Sequence, residues 1–520
     1  MRSVCMYFQV HQPYRLRTYR FFDIGADHHY YDDYQNRYLI RRIAEKCYLP
    51  ANNLLLDLIN KHNRKFKVSF SISGVALQQF IEYAPEVITS FQKLAATGNV
   101  EFLAETYAHS LVALKSKTEF IRQIKMQVDL INELFGQKPT AFRNTELVYS
   151  DEIGEMVNEL GFKVMLAEGA KHILGWKSPN FLYNNSYQPN LKVLLRNFRL
   201  SDDIAFRFSE QSWSEWPLTA EKYVDWINAV DPKQPVVNLF MDYETFGEHQ
   251  WKETGIFDFL NDLPGKAFTN SDIIFRTPSE LSDLLESVGS IHVPFPASWA
   301  DEERDLTAWL GNELQDEAFD TLYNLTQKVR QVQDPSIKRD WLFLQSSDHF
   351  YYMCTKWFSD GEVHKYFNPY NTPYEAFINY MNVLSDFSIR VDNWLAENPD
   401  SPEETIGKAY VNIANSIKKE AKSVENELKK KMAGKINDFN NLLEMSDKEL
   451  KKVIKDIDAD QIAAAIKDLG EEVEERFKKL ASPKNRARLE ELKNDAVDFT
   501  KKKVTEGRKA IFEQWKSFSK

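Results

Sequence analysis

The chain has 520 residues, 13% of them aromatic, and a formal net charge of −11, a length that exceeds one ordinary core and implies two or three domains. The negative charge argues against a nucleic-acid binder, which needs Lys and Arg to neutralise phosphates, and no run of about 18 apolar residues offers a membrane span. Three widely spaced cysteines, Cys5, Cys47 and Cys354, fit no metal spacing and read as reduced, buried thiols of a cytoplasmic protein, and the N-terminal residues do not read as a signal peptide.

Residues 1–245 alternate between short apolar runs and helical patterns. Residues 3–10 read as a strand running into His11 and Gln12. A helix at 54–61 precedes a strand at 66–72 that ends at Gly74. A helix at 85–97 precedes a strand at 100–104 that ends at Glu105. A long amphipathic helix at 119–135 precedes a strand at 139–145 that ends at Glu146. Residues 151–160 read as a helix with Asp151 as N-cap and Gly161 as its stop, and 162–166, 191–197 and 236–241 as further strands. This βαβα rhythm predicts an α/β fold with a parallel sheet, and the number of repeats points to a barrel.

The last of these runs, Val236 to Met241, ends in Asp242 and Glu244. Two positions apart on a strand, they would point to one side. Converging like charges costs free energy, so the pair asks for a chemical reason. In a parallel barrel the active site lies at the C-terminal strand ends. His11, Glu105, Glu146 and the Asp242/Glu244 pair all fall there.

Residues 278–395 turn helical, with long candidates at 309–332, 340–356 and 374–397 and a high aromatic load. The run 398–405 is the clearest punctuation in the chain. Residues 401–520 carry 27 Lys and Arg against 23 Asp and Glu, a net of +4, and hold one Trp, Trp515, and one Tyr, Tyr410. A long amphipathic helix at 406–431 is expected there. Shorter ones follow, with apolar residues at helical spacing: Leu450, Val453, Ile454 and Ile457; Ile462, Ile466 and Leu469; Val473, Phe477 and Leu480. A last helix is expected at 491–518. The expected domains are therefore 1–277, 278–397, a linker and helix at 398–436, and an all-α module at 437–520.

Two carboxyl groups about 5–5.5 Å apart, one ionised and one protonated, perform retaining glycoside hydrolysis. Glu146 is the natural nucleophile and Asp242 the natural acid, with Glu244 as the spare carboxylate that raises the acid's pKa. His11, His109, Asp242 and His249 offer a metal alternative, but no paired-His motif supports it and no metal or cofactor is expected.

Five segments in order make the first 395 residues resemble a family 57 glycoside hydrolase, the α-amylase and 4-α-glucanotransferase group. They are HQPYRL at 11–16, GNVEFLAETYAHS at 98–110, AFRNTEL at 141–147, FMDYETFGEH at 240–249 and SWADEERDLTAWLGNELQ at 298–315. The resemblance implies an incomplete (β/α)7 barrel with a following helical subdomain, Glu146 as nucleophile and Asp242 as acid/base. Candidate substrate contacts are His11, Gln12, His109, Arg143, Trp176, Asp203, Glu244, Trp299 and Asp348. For each there is a structural alternative: core histidines at strand ends, Glu244 paired with a cation, Asp202 and Asp203 in a turn. The expected substrate is an α-1,4-glucan, hydrolysed or transglycosylated, and the compact chain after the barrel favours amylase over branching activity. The competing expectation is a glucan-bound scaffold whose tail recruits proteins.

The segment 442–496 resembles a helical module of the flagellar motor-switch protein FliG, through an acidic turn, an L-x-x-V-x-x-D pattern, an Ala-rich helix and SPKNRARLEEL. It implies an armadillo-like block that binds another protein or a second copy of this chain through residues 437–520. The alternative is a generic charged bundle.

Overall fold

A computed structural model describes residues 2–356, 367–399, 447–467, 471–494 and 501–518. The chain forms two compact units, Met1–Ile417 and Lys418–Lys520. The expected helix at 406–431 and Leu469 lie outside the described residues.

The described residues of the first unit form ten strands: β1 Arg2–Val10, β2 Val68–Ile72, β3 Val100–Leu103, β4 Ala141–Arg143, β5 Val164–Glu168, β6 Leu182–Asn185, β7 Lys192–Arg196, β8 Val236–Asp242, β9 Ile273–Phe275 and β10 Ser290–Ile291. One sheet has the order β3-β2-β1-β8, with β9 beside β1, and the other β10-β6-β7-β5-β4. All pairings are parallel except β6 with β7. Two seams join the sheets. Ala104 N donates to Ala141 O (3.0 Å) and Arg143 N to Ala104 O (2.9 Å) beyond the end of β3, and Asn197 N donates to Asn238 O (2.9 Å) between β7 and β8. The Asn238 side chain adds a bond to Leu195 O (2.8 Å). The parallel strands thus follow one another cyclically as β8-β1-β2-β3-β4-β5-β7.

Side-chain parity explains why these runs are strands. On β1, Val4, Met6, Phe8 and Val10 pack into the large outer core beneath the helices, while Cys5 and Tyr7 join a smaller inner cluster. The same alternation separates Met165 and Ala167 from Val164 and Leu166, and Val237, Leu239 and Met241 from Val236 and Phe240. Strands buried on both faces read as near-continuous apolar runs, as these do.

Helices fill the crossovers. Gly74–Tyr83 and Pro85–Ala95 follow β2, Lys117–Phe135 follows β3, and Asp151–Glu159 follows β4. The N-cap of the last is Ser150, whose hydroxyl accepts from Ile153 N, and not the expected Asp151. A serine in extended conformation reaches its own helix N-terminus, whereas Asp151, already helical, accepts instead from Val293 N (2.9 Å). Gly161, at φ +85°, stops the helix as expected. The helix Asp33–Ile43 and the strands β6, β9 and β10 had no clear sequence signal. The expected helix at 309–332 is two, Glu313–Tyr323 and Thr326–Gln331, and that at 340–356 is also two, Pro335–Leu344 and Ser347–Tyr351. Pro373–Glu397 completes this helical region, and its Tyr380 and Phe387 lie in the same core as the strands. All three cysteines are free and buried.

The second unit shows helices Asp447–Ile454, Ala459–Ile466, Glu471–Leu480, Pro483–Asn494 and Lys501–Phe518. Leu450, Val453, Ile454, Ile457, Ile462, Ile466, Phe477 and Leu480 form their shared core, as their spacing predicts. A Cβ at Gly507 would lie 2.5 Å from Gln461 O, so the last helix packs backbone to backbone on Ala459–Ile466. Arg508 then caps that helix through Ala465 O (2.9 Å) and Lys467 O (3.1 Å).

Candidate active site

The inner parity of the seven parallel strands becomes polar at the C-terminal end of each. It reaches Gln9 and His11 from β1, Ser71 and Ser73 from β2, Glu105 from β3, Arg143 from β4, Glu168 from β5, Arg196 from β7 and Asp242 from β8. Ligands bind at this end of parallel sheets.

A hydrogen-bonded chain crosses the rim. Gln9 Nε2 donates to Glu105 Oε1 (3.1 Å), Glu105 Oε2 accepts from His109 Nδ1 (2.9 Å), and His109 Nε2 donates to Glu146 Oε1 (3.2 Å). With a carboxylate oxygen on each ring nitrogen, His109 must carry both protons. Burial opposes that charge, but the bonds to Glu105 and Glu146 outweigh it and push the pKa up to about 9. Trp299 Nε1 donates to the other oxygen of Glu146 (2.7 Å), and Ser347 Oγ approaches the first (3.4 Å). Burial alone would raise the Glu146 pKa. The His109 bond and charge, the Arg143 charge and the Trp299 N–H together hold it below the usual value.

The backbone contributes to the aim of these groups. Glu146 (φ +56°), Leu147 (φ +52°) and His109 (φ +52°) all lie in the left-handed region, at roughly 1–3 kcal/mol each. Leu147 N to Asn144 O (3.0 Å), Val148 N to Thr145 O (2.9 Å) and Trp299 N to Glu146 O (3.3 Å) hold the turn.

Asp242 ends β8. Burial first, and then the charge of Glu146, raise its pKa to about 6 against the opposing charges of Arg143, His109 and Arg196. The carboxylate that tunes Asp242 is therefore Glu146, not the expected Glu244. Glu244 is not on the strand either, because residues Tyr243–Thr245 turn as a 3-10 helix. Its Oε1 accepts from Tyr48 OH and from Gln12 Nε2 (3.4 Å). Burial and the Asp242 charge push Glu244 itself up to about 8.

His11 stacks on His109 with ring centroids 3.9 Å apart, and bonds Ser73 Oγ (2.7 Å) and Asp348 Oδ2 (2.8 Å). Ser347 N donates to His109 O (2.9 Å). The 347–350 segment thus reaches the strand ends from the helical region. All four ring nitrogens of His11 and His109 have hydroxyl or carboxylate partners, and no group of three metal-ligating side chains is present among the described residues.

Trp299 was expected to contact substrate. Instead the guanidinium carbons of Arg143 and Arg196 lie 4.8 Å and 5.6 Å from its ring centroid. Arg304 donates to its carbonyl and sits 3.5 Å from Asp202 and 3.9 Å from Glu168. Arg196 bridges Glu168 (3.1 Å), Asp202 (2.5 Å) and Phe240 O (2.8 Å). This clamp holds the strap that delivers the Trp299 N–H to Glu146. Arg143, expected to contact substrate, is 0% exposed, and none of its guanidinium nitrogens has a hydrogen-bond partner among the described residues. Its charge acts on both Glu146 and Asp242 from a buried position against the Trp299 ring.

The structure thus gathers Glu146, Asp242, His11, Gln12, His109, Arg143, Glu244, Trp299 and Asp348 around one rim. Two predicted residues stand outside this network. Trp176 is 92% exposed on the turn after residues Lys171–Leu174, and Asp203 lies inside the helix Phe198–Ala205 with Arg207 on its carboxylate. Sequence reasoning missed Tyr48, Ser73, Glu168, Arg196 and Arg304. Glu168 and Arg196 carry the same signal as Glu105, a polar residue ending an apolar run, and could have been found that way.

The sequence profile of Glycosyl hydrolase family 57 matches residues 5–294, and that of the FliG C-terminal domain matches residues 415–520. A Methanocaldococcus jannaschii protein named "Putative alpha-amylase" is 43% identical over 406 residues, covering 75% of this chain and 85% of its own. Among solved structures, a GH57 branching enzyme from Thermococcus kodakaraensis aligns with TM-score 0.58 at 13% identity, over 80% of this chain and 94% of that one. The 4-alpha-glucanotransferase of Thermococcus litoralis aligns with TM-score 0.50 at 16% identity, over 67% of this chain and 56% of that one. At such identities the structural likeness speaks for fold alone.

Proposed function

The chain belongs to glycosyl hydrolase family 57, and from that premise we propose that it cleaves α-1,4-glucans by a retaining, double-displacement route. One observation carries the reading: one environment displaces two carboxyl groups in opposite directions. Glu146 is held below its ordinary value and Asp242 is raised to about 6. Such a split defines a nucleophile and an acid. Glu146 attacks the anomeric carbon while Asp242 protonates the departing glycosidic oxygen. Water then enters with Asp242 as base and releases the sugar with retained configuration. The cyclic order of seven parallel strands supports an incomplete (β/α)7 barrel as the scaffold. His11, Gln12 and Glu244 line this rim as candidate sugar contacts.

The family neighbours include hydrolytic and transferring enzymes, so the alternative is a sugar hydroxyl in place of water. Incubation with maltoheptaose decides between them. Hydrolysis is expected to yield only shorter products, initially as the α-anomer; products longer than the substrate would assign the chain to transfer, and an initial β-anomer would refute retention. Absence of turnover on any α-glucan, with binding preserved, would leave the scaffold reading.

For the tail, the FliG-type match and the small helical core support an interaction module for another protein or a second copy of the chain. The solution mass of the full chain against one truncated after residue 398 tests this. Unchanged mass and unchanged partners would remove it.

A further inference from the structure

A bowl of about 640 Å³ lies between residues 45–54 and residues 247–261, and shares no residue with the catalytic rim. Its floor is apolar, made of Pro50, Leu54 and Phe257, and Trp251 stands at its edge, 62% exposed. Glu45, Lys46, Lys252, Glu253 and Asp258 surround the floor, with Asn261 one helical turn beyond Phe257. Both signs share the rim, yet these five charged groups make no ion pair with one another or with another described residue.

The walls are set rigidly. Gly247 adopts φ +115°, and a Cβ there would lie 2.0 Å from Lys46 O, so the two segments meet backbone to backbone. Gly247 N donates to Gln250 O (2.9 Å), closing the turn that presents Trp251. The bowl is therefore preformed, as ligand sites usually are.

Its chemistry selects the ligand class. A bare indole face and an apolar floor take the C–H face of a pyranose ring. Carboxylates, ammonium groups and an amide can bond hydroxyls all round it. A phosphate-bearing ligand would call for clustered Arg or Lys without acids, and a buried apolar helix would leave five charges stranded. We propose that this bowl is a second, non-catalytic binding site for α-glucan, holding a stretch of polymer away from the scissile bond. The proposal rests on the glucan-cleaving reading for its ligand.

The test uses full-length protein with Trp251→Ala and Trp251→Tyr. On soluble starch, Trp251→Ala is expected to lower kcat/KM about 5-fold while leaving kcat/KM on maltotriose within twofold, and Trp251→Tyr, which keeps a ring, should recover most of the loss. In a Glu146→Gln background, retardation in starch-containing gels should weaken about 5-fold with Trp251→Ala. Unchanged starch kinetics and retardation would overturn the proposal, as would equal losses on starch and maltotriose, which would make Trp251 a support of the catalytic unit. Failure of the catalytic reading looks different: no α-glucan is turned over, while retardation still depends on Trp251.

Discussion

Both units bury an apolar core, but they differ in the charge they bury with it. The catalytic unit buries Glu105, His109, Arg143, Glu168 and Arg196. The described core of the second unit is wholly apolar, and its ion pairs, such as Lys478–Glu490 and Arg488–Asp460, are exposed. Burying charge costs free energy unless it is paired and bonded. A unit that carries this cost has a use for the field it creates. One that avoids it needs only shape.

Substitutions can break that contrast. The largest effect is expected at the carboxylate pair. Glu146→Gln should lower kcat on soluble glucan by about 10⁴-fold and Asp242→Asn by roughly 10²–10⁴-fold, with near-native melting. For Asp242→Asn, a glucoside with a 4-nitrophenolate leaving group should recover the first step, which needs no acid. If both variants keep wild-type turnover of glucan, the pair is structural.

Next comes Trp299→Phe, which removes the N–H from Glu146. A bond to a charged group contributes about 1.5–3 kcal/mol, so kcat/KM should fall roughly 10-fold or more. Wild-type kcat/KM should trace a bell whose descending limb lies near pH 6, where Asp242 loses its proton. Its ascending limb reports Glu146 and lies below the ordinary carboxylate value. Trp299→Phe should move that ascending limb to higher pH.

Arg143→Met removes a charge that lowers both carboxyl groups. Both limbs should shift to higher pH, by about one unit, with melting not lowered, because an unbonded buried guanidinium is itself costly. An unshifted profile would reduce Arg143 to packing.

Glu244 offers a stability readout. Its pKa is about 8 against an ordinary 4.5, so the native state holds a proton that the unfolded chain loses. Stability is complete below about pH 4.5 and falls as pH rises to about 8. Glu244→Gln should therefore be more stable than wild type at pH 8, by roughly 4–5 kcal/mol, and match it at pH 4. Equal melting at both would show Glu244 already ionised.

The smallest effect on activity is expected from Ile462→Ala in the second unit. It should cost the tail about 2–5 kcal/mol, seen as an earlier unfolding transition, with kcat/KM within twofold of wild type. A large loss of activity would show that the contrast between the units is not a functional boundary.

Much of this was legible in advance. The positions of Glu105 and Asp242 at C-terminal strand ends followed from apolar runs that stop at acids, and the same reading picked out Glu146, which lies three residues past the end of β4. The broken helices at 309–332 and 340–356 were not, because both halves of each are amphipathic and helical spacing alone does not show where a chain turns. Trp299 was read as a substrate contact because its polar setting in SWADEERD looked more exposed than that of a core tryptophan. Arg143, Arg196 and Arg304, distant in sequence, settle which role the ring takes.

The sequence by itself determined the order of elements, the inner and outer parity of each strand, the polar strand ends and the separate character of the tail. These depend on periods of 2 and 3.6 residues among near neighbours. Only the tertiary structure decided that Glu146 rather than Glu244 tunes Asp242, that His109 carries two protons, and that Arg143 lies buried against Trp299. Those properties depend on distances between groups a hundred residues apart and on how little water reaches them, and neither quantity is written in local sequence.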